Sequence, residues 1–382
     1  MVQLSEPVKA MRVKSSVIKS IVLYGIGFGL LALIVSNFWE SRPAILTEEE
    51  QAQTLLSGGL GHATIQSNTS SPGLKDLLKQ KYLPGPILLA TALWVVAILI
   101  TFLRWHLLVV AQGLVFSRYE AIRLSLVSYF FNTFLPGAVG GDVIKSIAVA
   151  RGQSRRTVAV ATVIIDRIVG LWALAWFVAI SGGFFWITQN YYIVNSITLK
   201  IIVQFIIILV LSTTAIWWVM GRISQERAGK FSAILQKIPK VGGAFSEFWN
   251  AGMLYRRKQR SIVIALLMSI FGHFCWVGIF YLCVSAFPNL QVATFTEHIL
   301  IVPIGMTAQA LFPLPGGIGG GEAAYGGLYA LLGKPAIGGI VGCLVMRLIA
   351  WVVGLLGYMV FLSMKPHIPK EMDDYLQQKV ME

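Results

Sequence analysis

The feature that most limits what this chain can fold into is a series of apolar stretches, each as long as a bilayer is thick. Residues 17–38, 84–113, 157–180, 197–220, 262–287 and 336–364 run almost without charge, and about 20 apolar residues in a helix cross a hydrocarbon core of ~30 Å. Two further regions, 121–150 and 297–333, are interrupted by proline, clustered glycine and acidic residues. Of the 382 residues, 56% are hydrophobic and 13% charged, against about 45–50% and 25% in soluble domains. A water-soluble fold is excluded. The expected architecture is an all-α polytopic membrane protein, with about six full transmembrane helices and two re-entrant helical hairpins, one at each interrupted region.

The net charge of +14 sits in short segments beside the apolar stretches, where cytoplasmic loops collect Lys and Arg. It points to topology and to anionic lipid headgroups at the inner face, not to nucleic acid. By this rule the N-terminus (Lys9, Arg12, Lys14, Lys19), the Arg118/Arg123 turn, the Arg151/Arg155/Arg156 cluster and residues 221–260, with nine Lys/Arg against two Glu, face the cytoplasm. The near-neutral 39–83 loop and the uncharged 181–196 and 288–296 stretches face outward. Both termini then lie in the cytoplasm. The first stretch also has the layout of a signal peptide, but Asn37-Phe38-Trp39-Glu40 makes a poor cleavage site, so it reads as an uncleaved anchor. Asn68-Thr69-Ser70 in the outer loop matches a glycosylation acceptor triplet.

These boundaries divide the chain into an N-terminal segment with its first span (1–38), an extracytoplasmic loop (39–83), a first membrane half (84–220), a basic cytoplasmic loop (221–260), a second membrane half (261–364) and a cytoplasmic tail (365–382). Within the basic loop, Phe231, Ile234, Leu235 and Ile238, then Phe245, Phe248 and Trp249, recur at helical spacing. Helices lying in the membrane interface have this pattern, and a surface that docks a protein partner has it equally.

The two interrupted regions are copies of one another. Phe134-Leu135-Pro136-Gly137-Ala138-Val139-Gly140-Gly141-Asp142 aligns with Pro313-Leu314-Pro315-Gly316-Gly317-Ile318-Gly319-Gly320-Gly321-Glu322, with one extra glycine in the second. Each acid precedes an arginine by 25 residues: Asp142 leads to Arg167, and Glu322 leads to Arg347. Three full spans separate the copies, so the second enters from the opposite side and the repeats are inverted. Many secondary transporters share that arrangement, with broken helices meeting near the midplane.

Proline removes a backbone donor, and clustered glycines forfeit helix propensity while allowing close backbone approach. Non-helical backbone at membrane depth is tolerated only where protein or a wet cavity satisfies it. The two breaks should therefore line a shared cavity, with the half-helices that follow aiming free N–H groups at it as a seat for phosphate or carboxylate. The candidate substrate-binding set is Arg167, Arg347, Asp142, Glu322, Lys145, Asp166 and Asn132, with Pro136, Gly137, Gly140, Gly141, Pro315, Gly316, Gly317, Gly319 and Gly320 of the breaks. Arg167 and Arg347 would hold an anionic headgroup while the acids tune them or carry a proton. Alternatively each acid neutralises its arginine and locks its hairpin, since a buried pair alone decides neither role. Arg104 reads as an interface residue that snorkels.

Other residues carry less. His106, His273 and His298 share no motif, and Cys275, Cys283 and Cys343 have neither metal-ligand spacing nor a disulfide framework; no metal, catalytic residue or cofactor is expected. Trp172, Trp176, Trp186, Trp217 and Trp218 read as core and interface aromatics. The glycine run 316–321 lacks the Gly-Lys-Ser/Thr ending and the βαβ context of a nucleotide loop.

On Phe131-Asn132-Thr133-Phe134-Leu135-Pro136-Gly137-Ala138-Val139-Gly140-Gly141-Asp142, Ile165-Asp166-Arg167-Ile168-Val169-Gly170 and the 313–322 motif, the chain resembles the lysylphosphatidylglycerol synthase transmembrane-region family of flippase-like membrane proteins. The resemblance runs from about Pro84 onward. It implies a cell membrane of bacterial or archaeal type and movement of phospholipids or lipid-linked glycans between leaflets, or an accessory role in envelope assembly. Full-length synthases carry a soluble aminoacyl-transfer domain besides. None is recognisable up to Glu382, so aminoacylation is not implied. A lipid flippase or scramblase-like transporter is the leading expectation. A membrane-embedded transferase acting on a lipid carrier and a non-catalytic scaffold are the alternatives.

Overall fold

The structure, a computed structural model, describes residues 6–43, 70–134, 140–151, 153–239, 242–311 and 315–364. Among these it is helical throughout, apart from one short strand pairing. The first part comprises α1 (Glu6–Asn37), strands β1 (Arg42–Pro43) and β2 (Ser70–Ser71), α2 (Leu74–Lys79), α3 (Pro84–Ala111), α4 (Arg118–Phe134), α5 (Gly140–Arg151), α6 (Arg156–Ile187) and α7 (Tyr191–Asn195). The second comprises α8 (Ile197–Met220), α9 (Gln225–Gln236), α10 (Gly242–Tyr255), α11 (Gln259–Ser285), α12 (Phe295–Leu311), α13 (Gly320–Leu331) and α14 (Ala336–Met364).

Five helices, α3, α6, α8, α11 and α14, are long and apolar enough to cross a membrane. In the sixth expected span, α1, the apolar part among the described residues is the shorter Val22–Asn37. The long helices turn large apolar side chains outward, among them Leu88 and Leu89 of α3, Phe205 and Ile208 of α8, and Val352 and Met359 of α14. That is the reverse of a soluble bundle and fits helices whose solvent is hydrocarbon. With no hydrophobic force driving helix on helix, packing rests on close approach at small residues. Ala90 and Ala97 of α3 are fully buried, and a Cβ on Gly278 of α11 would meet Leu93 at 3.1 Å.

The same principle corrects one boundary. The uncharged 181–196 stretch reads as an outer loop, yet α6 continues to Ile187 and α7 follows. Gly182 is a packing residue: a Cβ there would lie 2.6 Å from Val203 of α8. α8 buries Leu199, Val203, Ile206 and Val210, one helical stripe.

The two interrupted regions fold alike. α4, α5 and α6 have 17, 12 and 32 residues, and α12, α13 and α14 have 17, 12 and 29. α14 also presses on α4, where Cβ atoms on Gly357 and Gly354 would meet the Leu126 carbonyl oxygen at 2.2 Å and the Phe134 ring at 2.9 Å.

Both ends of the 39–83 loop are stitched together. Leu74 N–H donates to the Phe38 carbonyl at 2.8 Å, Lys75 N–H to that of Trp39 at 3.0 Å, and β1 pairs antiparallel with β2. Asn68 and the 365–382 tail lie outside the described residues. In the 221–260 segment, α9 and α10 form a helical pair joined by the Ser232 and Ser246 hydroxyls at 2.8 Å and by Trp249 Nε1 donating to the Ala228 carbonyl at 3.0 Å. Phe231, Ile234, Ile238 and Phe245 are left exposed on it. Tyr255 at its end is buried and donates to the Leu108 carbonyl, which fixes the pair to α3.

Candidate functional site

At the second break, Pro315–Gly317 forms a single 3-10 turn before α13. Gly316, Gly317 and Gly319 take φ of 56°, 66° and 79°, a left-handed region that side-chain-bearing residues avoid. The glycine cluster is thus required by the chain path itself. Glu322 is the third residue of α13 and fully buried. One of its carboxylate oxygens accepts the Gly319 N–H at 2.8 Å, and the other accepts Arg347 Nε at 2.7 Å. The remaining Arg347 nitrogens donate to the carbonyls of Gly316 at 2.9 Å and Gly317 at 3.3 Å. Arg347 therefore ties the unwound backbone to the acid that caps the next helix.

The first break uses the same parts. Asp142 is the third residue of α5 and receives Arg167 side-on, Nε to Oδ2 at 2.6 Å and Nη2 to Oδ1 at 2.9 Å. Asn132 Oδ1 accepts the Gly141 N–H at 2.9 Å. Gly141 leaves no space for a side chain, since a Cβ would fall 2.0 Å from the Ser128 carbonyl oxygen. Pro136 and Gly137 lie outside the described residues.

The two pairs differ in exposure. Arg347 and Glu322 side chains are 7% and 0% exposed, whereas those of Arg167 and Asp142 are 51% and 15%. Arg347 has every nitrogen engaged; Nη1 of Arg167 has no protein partner among the described residues.

Asp142, Arg167 and Arg347 border one cavity of about 420 Å³. Its polar wall includes Ser125, Ser128, Tyr129, Asn132 and Thr133, one continuous face of α4, with Asp142 and Lys145 of α5 and Asp166 and Arg167 of α6. Cys343, Met346, Arg347, Ala350 and Trp351 form the matching face of α14. Trp94, Phe102 and Trp276 complete an aromatic side, the indoles of Trp94 and Trp276 packed edge to face at 4.4 Å. Cavities of this size accept small-molecule headgroups.

A match to the family model described as the lysylphosphatidylglycerol synthase TM region covers residues 74–357. The chain belongs to this family. A UPF0104 membrane protein of Pyrococcus horikoshii is 25% identical over 288 residues, 71% of this chain and 84% of that protein. The protein is thus a multi-pass integral membrane protein. The family segment contains the whole cavity, while α1 lies before it.

Of the residues singled out in the sequence, Arg167, Arg347, Asp142, Lys145, Asp166, Asn132 and Gly316 border the cavity. Glu322 stands behind Arg347, and Gly140, Gly141, Gly317, Gly319 and Gly320 are buried in packing contacts. Two readings are corrected. Arg104 does not snorkel: it is buried, donates Nε to Asp166 Oδ1 at 2.8 Å, Nη1 to Ser269 at 2.7 Å and Nη2 to the Asp166 carbonyl at 3.1 Å, and borders the cavity. Gly170 makes room for it, with a Cβ there only 3.1 Å from Nη1. The half-helix starts also do not aim all their N–H groups at a ligand, because Asn132 and Glu322 already accept from the Gly141 and Gly319 amides.

Sequence reasoning missed Gln309, which occupies in α12 the position Asn132 has in α4 and donates to the Gly316 carbonyl at 3.2 Å. Extra residues before the second motif hide that correspondence. It also missed the α4 polar stripe, whose spacing of three and four residues was a readable signal. His298 is fully buried, its Nδ1 donating to the Thr294 carbonyl at 2.8 Å and its Nε2 accepting from Tyr329 at 2.7 Å.

Proposed function

We propose that this protein is a lipid transporter of the flippase or scramblase type, not an enzyme, that moves an anionic amphiphile between leaflets. The observation that carries this reading is the meeting of both breaks at one cavity with a cationic, hydroxyl-bearing wall and an aromatic, aliphatic one. Cations and hydroxyls suit a headgroup, and Trp276, Met346 and Trp351 suit the first carbons of its chains. A water-soluble solute would have no use for the second wall.

In this reading α4–α5 and α12–α13 are re-entrant hairpins of inverted repeats, since α6, α8 and α11 lie between them, and α1 makes the sixth span. Two such halves rocking about a fixed site would expose it alternately to each side. Both termini lie in the cytoplasm of a bacterial or archaeal-type cell, and the basic α9–α10 pair rests on anionic headgroups at the inner face. Arg167 holds the headgroup, and Arg347 with Glu322 shapes the cavity wall.

Reconstitution into liposomes with a panel of labelled lipids tests this. The wild type should move at least one anionic lipid, and Arg167→Gln should slow it about tenfold or more, as loss of a charge-assisted hydrogen bond implies. A wild type inert toward the whole panel would remove the transport reading. Equal rates in the two proteins would remove Arg167 from the site.

A further inference from the structure

Three arginines reach the cavity, and each already has a carboxylate: Arg104 with Asp166 at 2.8 Å, Arg167 with Asp142 at 2.6 Å and Arg347 with Glu322 at 2.7 Å. The fourth cation there, Lys145, has none within ion-pair distance among the described residues, although it is only 5% exposed. Its ammonium sits 3.9 Å from the centre of the Trp105 ring. A cation–π contact orients an ammonium but leaves its charge in place, and an uncompensated buried charge is costly. The cavity thus holds one positive charge in excess.

One more buried group beside the cavity lacks a partner among the described residues: the Ser125 hydroxyl, on a residue 2% exposed. Buried polar atoms are rarely left unpaired. Ser125 is placed level with Lys145. Gly141 abuts Ser128 and Asn132, Ile144 clusters with Val127 and Phe131, and Val149 with Ala121 and Leu124. That antiparallel register sets Lys145, one turn past Gly141, across from Ser125, one turn before Ser128. An ammonium and a hydroxyl on facing helices of one cavity can each meet a non-bridging oxygen of a phosphate.

Resting on the transport reading above, we propose that the cavity takes a headgroup with one net negative charge on a single phosphodiester, with Lys145 and Ser125 joining Arg167 in holding it. Zwitterionic ethanolamine headgroups leave the excess charge unmatched. Phosphomonoesters and pyrophosphates overshoot it. The same chemistry occurs in a glycerophospholipid such as phosphatidylglycerol and in a polyprenyl-phosphate sugar.

The test is lipid retention by the purified full-length protein, read by native mass spectrometry against competing phosphatidylethanolamine and phosphatidic acid. Phosphatidylglycerol and a polyprenyl-phosphate hexose are run as separate arms. Wild type should prefer at least one of these phosphodiesters about tenfold over both competitors, and the arm that shows it identifies the source. Lys145→Met should lose the preference, Lys145→Arg should keep it, and Ser125→Ala should weaken it. Lys145→Met should also melt no lower than wild type in lipid-free detergent, because it removes an unneutralised charge. No preference in either arm, or a preference that Lys145→Met retains, would overturn the proposal even where liposomes still show lipid movement. A Lys145-dependent preference without lipid movement would uphold it and count against transport.

Discussion

Replacing Glu322 and Asp142 by their amides separates the two acid–arginine pairs. Glu322 is fully enclosed between the Gly319 amide and the Arg347 guanidinium. Glu322→Gln keeps the shape but leaves Arg347 charged in a site where it is 7% exposed, and it turns an amide NH₂ toward a donor on one side or the other. Breaking a buried pair from one side costs about 3–5 kcal/mol. Asp142→Asn leaves Arg167, with half its side chain exposed, free to be solvated, and exposed pairs contribute about 0–1 kcal/mol. At ~2 °C per kcal/mol for a chain of this size, Glu322→Gln should lower the midpoint by about 6–10 °C and Asp142→Asn by about 2 °C or less. The assay is thermal unfolding in detergent followed by tryptophan fluorescence. A double variant, Glu322→Gln with Arg347→Met, should recover part of the loss because the stranded charge is gone. Equal shifts for the two single variants would refute the assignment of a sealing role to one pair and an open role to the other.

Three more outcomes follow from the packing. Gly357→Ala places a Cβ 2.2 Å from the Leu126 carbonyl oxygen; overpacking of this kind costs about 1–3 kcal/mol, and limited proteolysis should show α4 cut sooner. Gly319→Ala should cost about 1–3 kcal/mol in the same unfolding assay, since φ of 79° strains any side-chain-bearing residue. Replacing Phe231, Ile234 and Phe245 on α9–α10 with serine should reduce crosslinking of that face to a photoreactive anionic lipid in reconstituted vesicles, without changing the melting midpoint.

How much could be read in advance depended on the kind of signal. The acid–arginine register was legible because each acid is the third residue of a half-helix and each arginine lies on the next span, so chain geometry alone brings them together. The break was legible from proline and glycine, and the positive φ angles show why glycine is needed. The Arg104–Asp166 pair was not, since 62 residues separate its members and nothing local fixes how two spans rotate. A helix apolar all round carries little facial signal, which is why hydropathy located the spans but not the aromatic wall of Trp94 and Trp276. The 181–196 boundary was misplaced for a related reason: absence of charge does not show where a span ends, and α6 runs on to Ile187 with Gly182 packed against Val203.

α1 lies before the matched family segment, yet it touches both breaks. Tyr24 donates to the Phe134 carbonyl at 2.5 Å, the Gly27 position abuts Ile318, and Leu30 packs against Gly319. Under the proposed alternating-access reading, two halves related by a pseudo-two-fold axis would have outward and inward forms closer in energy without it. A single helix fastened to both copies adds an asymmetric contact, and in that reading a difference of only ~1.4 kcal/mol would set a tenfold resting imbalance. In the transport reading proposed above, the first helix is the element placed to bias which leaflet the empty carrier faces.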